Sequence, residues 1–119
     1  MKHKFCKKNE HPSFHLYPDY SSCGVWCEKC GLEMGDLEVS LPNIPKSLID
    51  LIHGWVLLWD VITDDIEGKG KINLESVEPL LISMGIELAR QVNEYYPCSY
   101  NEKINLFGWL KRGKDENKI

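Results

Sequence analysis

The stretch Gly24-Val25-Trp26-Cys27-Glu28-Lys29-Cys30-Gly31 decides how the first third of this chain folds. Two cysteines separated by two residues and followed by a glycine form a tight turn that aims both sulfurs at one metal ion. Tetrahedral zinc takes four ligands, so Cys27 and Cys30 need two further partners. The residues upstream supply Cys6, Cys23, His3, His11 and His15.

Cys6 is the expected third ligand, because a thiolate near the N-terminus can meet the knuckle across a short ribbon. His11 is favoured as the fourth, and Cys23 is its main alternate. His15 lies between Phe14 and Leu16, and strand alternation points it away from the face those two share. His3 repeats the knuckle spacing with Cys6 but sits at a terminus prone to fray. The expected set is therefore Cys6, His11, Cys27 and Cys30 around a structural zinc ion, with Cys23, His15 and His3 as alternates for the last position.

Two other chemistries use similar spacings. Trp26-Cys27-Glu28-Lys29-Cys30 resembles the Trp-Cys-x-x-Cys motif of thioredoxins, which needs a buried apolar strand before it and a helix directly after it. Here a polar turn precedes the motif and Gly31 follows. Cys23-x3-Cys27-x2-Cys30 matches the cluster-binding spacing of radical S-adenosylmethionine enzymes, which carry a much larger barrel.

A chain of 119 residues fits one domain, or a zinc module joined to a small helical unit. A core of that size is small, and a metal supplies stability that limited burial does not. Five cysteines are an odd number, which argues against a scaffold built of disulfides alone. Met1-Lys2-His3-Lys4-Phe5 is basic but leads into no apolar stretch, and Leu48 to Ile62 is too short and too charged to span a bilayer. A cytoplasmic protein without membrane contact is expected, with reduced thiols.

The net charge of −4 is unevenly spread. Residues 1–30 carry five Lys/Arg against three Asp/Glu, residues 31–60 one against five, residues 61–100 three against seven, and residues 101–119 five against three. Both ends are mildly basic and the middle is acidic. Such a middle suits a basic protein surface better than nucleic acid.

Phe14 and Leu16 suggest a first strand, Asp19-Tyr20-Ser21-Ser22 a turn, and Gly24-Val25-Trp26 a second strand entering the knuckle. Asp36 to Leu41 alternates and predicts a third strand. Leu41-Pro42-Asn43-Ile44-Pro45 reads as a linker. A helix is predicted from Pro45 to Ile62, with Leu48, Leu51, Ile52, Trp55, Leu58, Trp59 and Ile62 as its apolar stripe, widened by Ile49 and Val56. A helix apolar over so wide an arc is buried on more than one side or meets a partner. Trp55 and Trp59 are four apart on one face, which fits a core, or alternatively a groove anchored by tryptophan.

Asp65 to Ser76 has the length of a calcium loop between helices, but Lys69 stands where an oxygen ligand is needed and Ser76 where a bidentate glutamate belongs, so a plain glycine-rich turn is expected. A second helix is predicted over 75–95, with Val77, Leu80, Leu81, Met84, Leu88, Val92 and Tyr95 apolar. Gly85 within it would permit close approach to the first helix. Residues 103–110 read as a strand, and a polar tail follows.

Cys6, His11, Leu16-Tyr17-Pro18-Asp19-Tyr20, Gly24-Val25-Trp26-Cys27 and Cys30-Gly31 together resemble the small zinc-ribbon proteins common among bacteriophage reading frames. The resemblance covers the first third of the chain. It implies an accessory protein, an inhibitor or adaptor acting on a host protein.

The sequence therefore predicts an α+β protein. Its parts are a zinc ribbon over residues 1–41 and, over residues 42–119, a two-helix hairpin with a C-terminal strand and polar tail, the two packing as one domain. No Gly-x-Ser-x-Gly elbow, phosphate loop or His-Glu-x-x-His occurs, so no enzyme is expected. The expected function is protein binding through Trp55, Trp59, Asp64, Asp65 and Glu67. The alternative is nucleic-acid binding, with Phe5, Tyr17, Tyr20 and Trp26 stacking on bases among the N-terminal lysines. Cys98 receives no role.

Overall fold

The computed structural model describes residues 11–68, 70–100 and Leu106. Six elements follow in order: β1 (Phe14–Leu16), β2 (Val25–Cys27), α1 (Leu37–Ser40), α2 (Lys46–Gly68), α3 (Leu74–Val92) and β3 (Cys98–Ser99). The protein is α+β, with a three-stranded mixed sheet ordered β2-β1-β3. β1 pairs antiparallel with β2 in the register Phe14–Cys27, His15–Trp26 and Leu16–Val25. It pairs parallel with β3, Phe14 facing Cys98.

Alternation along β1 and β2 sends Phe14, Leu16, Val25 and Cys27 inward, while His15 and Trp26 are half-buried on the other face. The inward face meets α2 at close range. Gly24 has φ +83°, and a Cβ there would stand 2.8 Å from Val56 Cγ2. Both its backbone conformation and its neighbour thus require glycine. Phe14, Leu16 and Val25 share one core with Ile52, Trp55 and Leu81, so the N-terminal strands and the helices pack together.

The third strand expected over 36–41 is instead one helical turn. Asp36 caps it by accepting from the Glu38 amide at 3.0 Å, and the Leu41 amide donates to Leu37 O at 2.9 Å. Strand alternation would bury Leu37, Val39 and Leu41 alike. Leu37 and Leu41 are 1% exposed and Val39 76%, which is helical spacing. The third strand of the sheet is β3, brought beside β1 by the Phe14 amide donating to Pro97 O at 2.8 Å. The strand predicted over 103–110 lies outside the described residues except for Leu106, which is in a turn and fully buried.

α2 begins where Pro45 O accepts from Leu48 and Ile49, as the linker prolines suggest, but runs past the predicted end at Ile62 to Gly68. Asp65 is therefore within the helix, and its Oδ2 accepts from the Ile72 amide at 2.8 Å. That carboxylate pins the interhelical turn. α3 starts on Asn73, whose side chain caps the Glu75 amide, and ends at Val92, short of the predicted Tyr95.

The two helices pack through Trp55, whose Nε1 donates to Leu81 O at 2.9 Å. Trp59 Nε1 donates to Leu106 O at 3.2 Å. Each buried indole N–H thus has the partner it needs. Trp55 and Trp59 are 1% and 3% exposed, which corrects their assignment as partner-binding residues: both are core. The reverse correction applies to Leu51, Leu58, Leu80 and Met84. Read as parts of buried stripes, they are 40–64% exposed.

Candidate metal centre

The knuckle is built as its sequence requires. The Gly31 amide donates to Cys27 O at 2.8 Å, closing the turn, and Gly31 takes φ +77°, which favours glycine. The Cys30 amide donates to Cys27 Sγ at 3.4 Å. The Cys27 amide donates to Leu32 O, and Met34 to Val25 O, so the knuckle is the tip of a short hairpin. An antiparallel bridge between Trp26 and Glu33 completes it. Pairing of β1 with β2, reinforced by the Glu28 amide donating to Ser13 O, brings the residues just before β1 to that tip.

His11 arrives there. Its ligand nitrogen and the sulfurs of Cys27 and Cys30 all lie within 4.8 Å of one another. His11 Nδ1 is 3.7 Å from Cys30 Sγ. Zinc–sulfur and zinc–nitrogen bonds of about 2.3 and 2.0 Å in a tetrahedron require a sulfur–nitrogen edge of about 3.5 Å and a sulfur–sulfur edge of about 3.8 Å. The His11–Cys30 spacing is within about 0.2 Å of the sulfur–nitrogen edge. Cys27 and Cys30 are 0% and 1% exposed, so the thiolates would be shielded. The Cys30 amide aimed at Cys27 Sγ would orient and stabilise that sulfur as a metal-bound thiolate.

Two alternates are placed elsewhere. Cys23 is buried, but its Sγ donates to Val25 O at 3.3 Å, and it is not among the three converging residues. Burial raises its pKa, which keeps it a thiol. His15 occupies the outer face of the sheet, as alternation predicts, and burial lowers its pKa. Cys6 and His3 lie outside the described residues.

Cys98 shares a row of the sheet with Phe14 and Cys27. Burial, with a smaller effect of the Glu28 charge, pushes its pKa up to about 12, so it is a poor nucleophile at neutral pH.

The acidic residues assigned to partner binding have separate fates. Asp65 holds the interhelical turn. Glu67 accepts from Tyr20 Oη at 3.0 Å, and Tyr20 rests edge-on against Trp59 at 5.1 Å. Burial and that hydrogen bond push the Tyr20 pKa up to about 12. Asp64 stays exposed.

The surface feature that sequence reasoning missed is the outer side of the helical hairpin. Leu51, Leu58 and Val61 on α2 are 55%, 40% and 62% exposed, and Leu80 and Met84 on α3 are 64% and 40% exposed. A groove of about 340 Å3 runs between the helices, lined by Leu51, Met84, Leu88, Ser83, Glu87 and Gln91. The excess width of the apolar arc on α2 was the signal for it. Among the described residues no helix is long and apolar enough to cross a membrane.

Fold and site together define the class: a small α+β protein in which one histidine and two cysteines converge closely enough to hold a metal ion. Comparisons with known protein families, with curated proteins and with solved structures find no match.

Proposed function

We propose that this chain is a non-enzymatic, zinc-stabilised protein-binding module that takes an amphipathic helix of its partner on the outer face of α2 and α3. The observation that carries the reading is the apolar face of Leu51, Leu58, Val61, Leu80 and Met84 left open beside an already filled core. Exposed aliphatic side chains at helical spacing on two packed helices form the kind of groove that receives a third helix.

The rim selects the partner's charge. Glu87, paired with Arg90, lines the groove, within a region of the chain that carries a strong excess of acids. A second copy of the same face would bring like charges together, whereas a helix with lysine or arginine beside its apolar stripe is complementary. His11, Cys27 and Cys30 would hold the zinc, with Cys6 as fourth ligand. The ion's role is structural: it fastens the knuckle to the end of β1 and so fixes the sheet against α2. Inhibition or adaptation of a host protein, as the resemblance to phage zinc ribbons implies, follows from occupying such a helix.

The test is binding of two synthetic amphipathic helices with the same leucine stripe, one flanked by lysines and one by glutamates. The basic peptide should bind, and Leu58→Glu, a change at an exposed position, should abolish binding without altering the thermal transition. Equal binding of both peptides, or unchanged binding by Leu58→Glu, contradicts the proposal.

A further inference from the structure

The outer face of the sheet carries a second feature, separate from the helical groove. His15, Tyr17, Asp19 and Trp26 line a shallow, open cleft of about 300 Å3. Three of these residues present rings and the fourth a carboxylate. The rings are held in place: Trp26 Nε1 donates to Tyr17 O at 2.9 Å, and His15 faces Trp26 across the strand pair. Asp19 is fixed by its turn, with Oδ1 accepting from the Tyr20 amide at 2.8 Å and its own amide donating to Ser22 Oγ.

The charge of the cleft is negative. Asp19 is in its wall, and its field adds to burial in raising the Tyr17 pKa. The Glu28 charge reaches His15, yet burial wins there and holds that ring below its ordinary pKa, so at neutral pH it presents a π-face and no competing cation. No lysine or arginine lines the cleft among the described residues.

Ring walls with a carboxylate favour a cation over the ring faces. A nucleobase would also stack on Tyr17 and Trp26, but it brings a phosphate toward Asp19 and Glu28, which repel it. A bare ammonium finds acceptors in Asp19, the neutral His15 ring and Tyr17 Oη, but it is strongly hydrated and gives up more water to meet the rings. N-methyl groups need no acceptor and spread the charge over the rings. We propose that this cleft binds an alkylated ammonium group of the trimethylammonium type, with Tyr17, Trp26 and His15 as ring walls and Asp19 as counter-charge. Two sources carry that chemistry: a small quaternary amine such as choline, and a trimethylated lysine within a peptide.

The test titrates the 15N-labelled full-length chain with choline, with a trimethyllysine peptide, and with 3,3-dimethylbutan-1-ol, the neutral tert-butyl counterpart of choline. The readout is the Trp26 indole N–H resonance, assigned by its loss in Trp26→Phe. A saturable shift with either cation, about two- to fivefold weaker with the neutral compound, is expected from a solvent-exposed cation–π contact. Saturation by the peptide alone identifies a methylated lysine as the source, and by choline alone a small amine. Asp19→Asn keeps Oδ1 for the Tyr20 amide and should weaken binding about two- to fivefold through loss of charge. Equal shifts with the neutral compound overturn the proposal, as do unchanged binding by Asp19→Asn and the absence of a saturable shift with both cations. A saturable shift with a single-stranded oligonucleotide in their place would assign the rings to nucleic acid instead.

Discussion

Glycine-to-alanine substitution at two helical positions should move stability in opposite directions. Gly54 and Gly85 both sit inside long helices, in α2 and α3. Alanine is favoured over glycine in a helix interior by about 0.8–1.0 kcal/mol. At Gly54 a Cβ would meet nothing within 4 Å, so Gly54→Ala should realise that gain. At Gly85 the same Cβ would stand 2.8 Å from Trp55 Cζ2 and would also strike the Tyr100 ring. Trp55 has little room to yield, being 1% exposed and tied by Nε1 to Leu81 O. Overpacking of such a contact costs about 1–3 kcal/mol, which outweighs the propensity gain. Gly85→Ala should therefore be less stable than the parent by up to about 2 kcal/mol. Urea unfolding followed by circular dichroism measures both variants, with unchanged m-values confirming that the shift is one of stability. Stabilisation of Gly85→Ala to the same extent as Gly54→Ala would refute the packing of Trp55 over Gly85.

Three further outcomes follow from the same structure. Burial raises the Asp60 pKa above 3.8, helped by the Asp64 and Asp19 charges, so the native state takes up a proton at higher pH than the unfolded chain does. The parent accordingly gains stability as pH falls through the folded pKa toward 3.8. Asp60→Asn should be more stable than the parent at pH 7, by less than about 1 kcal/mol because solvent screens these acids, and thermal melts should show that advantage vanish over the same acid window. Trp59→Phe leaves Leu106 O without the indole donor and should lower stability by about 1–2 kcal/mol in urea titrations. Cys23→Ala should retain the metal in elemental analysis, because Cys23 Sγ bonds Val25 O and lies outside the converging trio, whereas Cys27→Ser should lose it.

The long helices were legible because their apolar periodicity runs over many turns; their ends were not. α2 passes Ile62 with Thr63 buried on its inner face, and Asp65, still within the helix, bonds the Ile72 amide. The error over 36–41 has a simple source. Leu37, Val39 and Leu41 satisfy strand alternation, and a single cap by Asp36 settles so short a segment in favour of a helical turn. The knuckle could be read from spacing alone because its geometry is local. The convergence of His11 depends on the register of β1 against β2, which spacing does not contain. The tryptophans and leucines of α2 were harder still. Periodicity reveals that the helix is apolar over a wide arc, but only the packing of α3 and β2 decides that Trp55 and Trp59 fill the core while Leu51 and Leu58 face outward.

Native mass spectrometry of the full chain purified without chelator decides whether His11, Cys27 and Cys30 form one metal centre. One zinc ion per chain is expected, lost on denaturation, retained by Cys23→Ala, and absent or greatly reduced in His11→Ala and Cys27→Ser. A folded parent without metal and with a mass two units low would contradict it, by showing a disulfide in place of a metal centre.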